Sequence, residues 1–192
     1  MNNTAELLIV EHLVRSIVHH PKLLEVKYRR SVSAIDTYIR AETSDVARLV
    51  GRGGSTINAL SVIGKALVKP CRFQIWRIEP TVTGSSAVSS ALPRFDREQV
   101  AGWLKQLAGV LFAQEVIDSV RWSEHENELV LTLINQPMDP KANGILVNAI
   151  MDTFEAIGHS RGLRGENRLR VRVVVAQKEL LTATIRRVQP YG

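Results

Sequence analysis

One cysteine, Cys71, stands in 192 residues. That excludes a disulfide framework and a thiolate metal cage. No apolar run approaches the length of a membrane span. The opening MNNTAELL has no basic stretch ahead of an apolar core, so no secretory leader is expected and a cytoplasmic setting is. The five histidines share no metal-ligand spacing, and the pair His19 and His20 lacks the i, i+4 geometry of a helical site. No strained nucleophile elbow is present. Glu124, Glu126 and Glu128 around His125 read as a solvated turn. Asp152 and Glu155 share a helix face without a nucleophilic partner. The expectation is therefore a chain with no catalytic residues, no metal and no cofactor, which binds rather than catalyses.

What is present is charge and glycine in one place. Hydrophobic content of 45% suits a globular chain. The formal net charge is +6, which favours polyanionic partners. Residues 1–80 carry 12 Lys and Arg against 7 Asp and Glu, net +5, while residues 94–192 carry 13 against 12, net +1. The excess positive charge lies in the half that contains Leu49–Leu60, LVGRGGSTINAL. There Gly51, Gly53 and Gly54 remove Cβ from three of four positions and permit φ > 0 and close backbone approach. Ser55 or Thr56 is placed to cap the helix that follows. A glycine-rich turn opening a helix seats anions, because exposed N–H groups and the helix dipole both attract them. A nucleotide-binding P-loop would need a Lys after the glycines, and none is there. A dinucleotide fingerprint would need a preceding strand and a differently placed third glycine.

The flanking pattern fixes the element order. Leu7, Val10, Val14 and Ile17 mark a helix face, with Asn3 and Glu6 as its capping box, ended by His19, His20 and Pro21. Leu24, Val26 and Tyr28 alternate with charged residues as a strand, and Ile35, Thr37, Ile39 and Ala41 form the inner face of a second. Thr43 and Ser44 are the expected cap of a short helix, Asp45 to Val50. After the glycines a helix runs to about Val68, stopped by Pro70, with Gly64 on its apolar stripe for close packing. Cys71 to Glu79 alternates again, with Phe73 and Ile75 on one face and Arg72, Gln74 and Trp76 on the other. The order is αββααβ.

Helix, G-x-x-G, helix, with Val50 before the first glycine and Ile57 three residues after the last, resembles the KH domain. The αββααβ order is similar to the type II, bacterial arrangement, a three-stranded sheet packed on three helices. The resemblance covers about residues 4–79 and is nearest to short single-KH RNA-binding proteins of bacteria. It implies that the Gly51-Arg52-Gly53-Gly54 loop clamps the backbone of single-stranded nucleic acid. Arg52 and Ser55 belong to that loop, Arg48 and Lys65 would extend its positive rim, and Val50 and Ile57 would line an apolar groove for bases facing the strand from Arg72. The implied partner is RNA in single-stranded or loop regions, rRNA included. A homodimer or a KH-protein partner is a further possibility of this resemblance, as is a protein-interaction role within ribosome assembly.

Thr81 to Pro93 is a charge-free Ser/Gly/Ala stretch, so residues 1–80, 81–93 and 94–192 read as domain, linker and second α+β domain. In the second domain Asp96 caps a helix carrying Val100, Trp103, Leu104, Leu107 and Leu111. Strands follow at Val116–Ser123 and Glu128–Leu133, then a helix near Ile145–Ile157 and a strand Arg168–Val175. The tail from Gln177 is open to helix or strand. A shift of 90 aligns Gly54, Asn58 and Ala59 with Gly144, Asn148 and Ala149, which suggests internal duplication. Lys141 then replaces the first loop glycine, and Pro137 and Pro140 fall on the short helix, so the second copy reads as a degenerate KH-like domain without a clamp. Arg161, Arg164, Arg168, Arg170 and Arg172 cluster there as an auxiliary phosphate surface or as a solvated sheet face.

Overall fold

The computed structural model describes residues 4–81, 95–112, 117–123, 128–134 and 140–176, with the side chains of 140–143 excepted. The expected Asn3 cap, the linker beyond Thr81, the turn around His125, Pro137 and the tail from Gln177 lie outside the described residues.

Helix α1 (Thr4–Ile17) buries Leu7, Val10, Leu13, Val14 and Ile17 along one face, the stripe its spacing requires. Strands β1 (Glu25–Arg30) and β2 (Ala34–Ala41) pair antiparallel, with Val26 opposite Ile39. Ile35, Thr37, Ile39 and Ala41 are all buried, as the alternation demanded. Helices α2 (Thr43–Val50) and α3 (Ser55–Leu67) flank the glycine loop, and β3 (Arg72–Pro80) returns parallel to β2. The sheet order is β1-β2-β3. The fold is therefore α+β, with helix, two strands, two helices and a strand as expected.

Gly64 explains itself against β3. A Cβ there would collide with the ring of Phe73, which is fully buried. The missing methyl lets α3 approach the sheet, and an added carbon in so tight a core is destabilising.

Helix capping differs from the expectation. The cap of α2 is Glu42, whose carboxylate accepts from the Ser44 N–H at 2.7 Å, and Thr43 and Ser44 lie within the helix. A glutamate one residue earlier reaches the same amide with its longer side chain. The cap of α3 is Gly54 in the left-handed conformation, without a side-chain hydrogen bond, and Ser55 is already helical. The loop needs φ > 0 at that position more than it needs a hydroxyl.

A second sheet follows. Helix α4 (Arg97–Leu111) starts on Asp96, whose carboxylate accepts from the Glu98 and Gln99 amides at 2.9 and 3.2 Å. Strands β4 (Ile117–Trp122), β5 (Glu128–Ile134) and β6 (Arg170–Ala176) form a sheet in the order β4-β5-β6, antiparallel then parallel. That repeats the pairing of the first sheet. Helix α5 (Pro140–Ser160) begins five residues earlier than expected, because proline is favoured at a first helical position, where its missing N–H has no partner to lose. Gly144 therefore sits within a helix, not in a loop.

The two halves share one core. Helix α3 lies along α5, and α1 also touches α5. The Ser160 hydroxyl donates to the Ser16 carbonyl at 3.0 Å, and both residues are buried. His12 of α1 meets the Trp103 indole of α4 edge-on, with centroids 4.8 Å apart.

Candidate nucleic-acid interface

The site is built on the turn between α2 and α3. Gly51, Gly53 and Gly54 all have positive φ, at 74°, 58° and 83°. Their roles differ. Gly51 closes α2 through its N–H to the Ala47 carbonyl at 3.0 Å, and a Cβ would collide with the Thr56 hydroxyl. Gly51 is needed for the turn to form. At Gly53 a Cβ would meet nothing within 4 Å. Its bareness serves whatever comes from outside. Arg52 and Gly53 are exposed at the tip, and among the described residues their amides have no acceptor. With the uncapped start of α3 they offer donors to an anion.

Arg48 is positioned from behind the loop. Asp45, in the first turn of α2, is fully buried and accepts from the His19 and His20 amides at 2.8 and 2.9 Å. The Arg48 guanidinium sits 3.7 Å from Asp45 and donates from Nη2 to His19 Nδ1 at 3.0 Å. A guanidinium can only donate, so His19 accepts and is neutral. Burial, then the Arg48 charge, lowers the His19 pKa; burial also lowers that of His12.

The sign follows from these directions. Both groups titrate below their ordinary value when folded, so the unfolded chain takes up protons first as pH falls. Stability is full above the unfolded histidine pKa and declines as pH drops through the lowered folded values. Urea midpoints should fall between pH 7 and pH 5, and His12→Gln with His19→Gln should flatten that fall; an unchanged slope would contradict the burial of these rings.

The loop opens on a cleft of about 650 Å³, within the range that holds small ligands. One wall is Arg48, Gly51, Arg52, Ser55 and Thr56. The other comes from α5 and the turn after it, with Arg164 and Arg168 beside Asp152, Glu155 and His159. Glu155 is 3.9 Å from Arg168 and 3.8 Å from His159, so part of its charge is met from its own wall. Burial, then Glu155, raises the Asp152 pKa.

The residues expected to act together divide. Arg48, Gly51, Arg52 and Ser55 line the cleft, whereas Gly53 and Gly54 belong to the same turn without lining it. Val50 and Ile57 are half-buried beside the loop. Lys65 is exposed in the last turn of α3, at the far end from the glycines. Arg72 alternates with the buried Phe73 and so projects from the sheet's outer face. Of the five C-terminal arginines, Arg164 and Arg168 reach the cleft. Arg161 is half-buried, with its pKa lowered by burial. Arg170 and Arg172 are exposed on β6, and Arg172 pairs with Glu128 at 2.8 Å. Asp45 and His19 escaped the sequence reading because their partners lie 26 residues apart in the chain.

Among the described residues His20, Glu42 and Asp45 form a cluster that could hold a metal ion, but Asp45 already accepts two amides and contacts His20 Nδ1 at 3.1 Å. That accounts for the cluster as a structural tie between α1 and α2. Among the described residues no helix is long and apolar enough to cross a membrane.

Residues 8–70 match the family model described as KhpA/KhpB, KH domain. No curated protein and no solved structure matches the chain significantly. The matched stretch runs from α1 through the loop to the end of α3, so the KH match covers residues 8–70 of this chain.

Proposed function

From a chain whose residues 8–70 match a KH domain, an RNA-binding fold, we propose that RNA is held as a single strand across the Gly51–Gly54 loop. The carrying observation is the exposed Arg52–Gly53 tip with its unaccepted amides at the mouth of the cleft. Phosphate oxygens accept from those N–H groups, Arg52 adds charge, and Arg48 stands behind. Val50 and Ile57 offer apolar surface to a base beside the loop. Lys65 and Arg72 stand apart from this grip.

Residues 1–80 are the KH domain, 81–93 the linker, and 94–192 a degenerate KH-like copy in a cytoplasmic protein. The equal strand order of the two sheets and the packing of α3 on α5 support that reading. The second half packs α5 on α3, and it brings Arg164 and Arg168 to the opposite wall.

Salt titration of binding to a labelled single-stranded RNA tests the proposal. Each phosphate contact contributes about −0.7 to the slope of log K against log salt. Arg164→Gln with Arg168→Gln should make that slope shallower by about 1.4 while leaving binding measurable. A flat titration in the parent protein would defeat the phosphate grip. An unchanged slope in the double variant would confine the grip to the first half.

A further inference from the structure

The first sheet has a second face, turned away from the helices. Ile75 and Ile78 of β3 both pack against the core, so the two residues between them cannot simply alternate. The register against β2 slips between Thr37 and Tyr38, pairing Thr37 with Ile75 and Tyr38 with Arg77. Trp76 is the inserted residue. A bulge sets two residues against one, so Trp76 and Arg77 both emerge on the outer face, and both are exposed. Trp76 keeps 63% of its surface in solvent. Across the sheet, Tyr38 lies between Arg77 on β3 and Lys27 on β1.

Charge completes the picture. Lys27, Arg29, Arg40, Arg72 and Arg77 occupy this face with Glu25, Asp36 and Glu79. Lys27, Arg40 and Arg77 lie within 4 Å of Glu25 or Glu79, but such exposed pairs are weak and open readily to a competing anion. Arg29 and Arg72 have no ion-pair partner among the described residues. Trp76 is the one large hydrophobic exposed on these three strands, so there is no aliphatic patch to seat a protein. An exposed indole beside a tyrosine, rimmed by net positive charge, is what unpaired bases and their phosphates require.

We infer that this outer face is a second RNA-binding surface, on which an unpaired base stacks against Trp76 while Arg72, Arg77, Lys27 and Arg29 meet the neighbouring phosphates. It rests on the reading that this chain binds RNA, but it lies on the opposite side of the sheet from the helices that carry the glycine loop. A strand passing over the sheet edge would be held at two places.

The test uses the full chain and a fluorescein-labelled, uridine-rich single strand of about 20 nucleotides, longer than one small module occupies. Trp76→Ala should weaken affinity about tenfold, within the range of one lost base–aromatic stack. Trp76→Phe should restore most of it, and the salt slope should not change, because no charge is removed. RNA should quench tryptophan emission in the parent and not in Trp76→Phe, which retains Trp103 and Trp122. In a chain with the loop disabled by Arg52→Asp and Gly53→Asp, quenching should persist at higher RNA concentration. Parent-like affinity in Trp76→Ala would overturn the surface while leaving the loop standing. Parent-like affinity in the loop variant would overturn the loop while leaving the surface standing. A Trp76→Ala chain with unaltered RNA affinity but an altered elution volume would assign the face to a second copy, and would also overturn the inference.

Discussion

Replacing Arg52 and Gly53 together with aspartate should lower RNA affinity by roughly 100-fold or more while leaving the fold intact. Each charge-assisted hydrogen bond contributes about 1.5–3 kcal/mol. The double change removes the Arg52 contact and sets two carboxylates against the phosphate. The fold should survive because both residues are exposed and a Cβ at Gly53 meets nothing within 4 Å. The cost is the positive φ of 58°, about 1–2 kcal/mol for a residue with a Cβ and eased for aspartate. Gly51 would not serve in this experiment, since its Cβ would strike Thr56 and confuse binding with folding. Fluorescence anisotropy gives the affinity, and circular dichroism with a thermal midpoint gives the fold. Retained affinity in a folded double variant would end the loop assignment.

The loop on which that prediction acts was legible in the sequence, and the reason is local. Three glycines within four residues between two amphipathic patterns leave few structures open, and positive φ was foreseeable at each. The strands were legible for the same reason, because Ile35, Thr37, Ile39 and Ala41 alternate with polar residues and end at a helix. The degree to which Gly51 and Gly53 differ was not legible, since it depends on where the Thr56 side chain comes to lie. Nor was the outward projection of Arg72, although its alternation with Phe73 contained it once Phe73 was known to meet Gly64. Side-chain reach misled the helix caps, because Glu42 does from one residue further back what Thr43 and Ser44 were expected to do. The role of Pro140 was inverted, since the same residue that cannot sit inside a helix opens one well. The cleft itself was beyond sequence. It needs α3 to lie on α5, and only then do Arg164 and Arg168 separate from Arg170 and Arg172.

Asp45 is the second residue whose loss should be severe. Its carboxylate has no exposed surface, accepts two main-chain amides and stands against His20 and Arg48. Asp45→Ala removes the acceptor and leaves the His19 and His20 amides, with the Arg48 charge, unanswered in a largely closed site. Breaking a buried charged cluster from one side costs about 3–5 kcal/mol, a large part of the stability of an ordinary domain. Asp45→Asn should fall between, because an amide oxygen can still accept but its NH₂ group must face a donor. Urea unfolding of the full chain measures both, and a loss below about 1 kcal/mol in Asp45→Ala would place the variant among ordinary surface changes and refute the buried tie. The consequence for binding is separable. Arg48 would lose the carboxylate that holds its guanidinium at 3.7 Å, so the folded fraction of Asp45→Asn should bind RNA more weakly than the parent, with Arg52 and the glycines untouched. The grip on phosphate thus depends on a residue that no phosphate reaches.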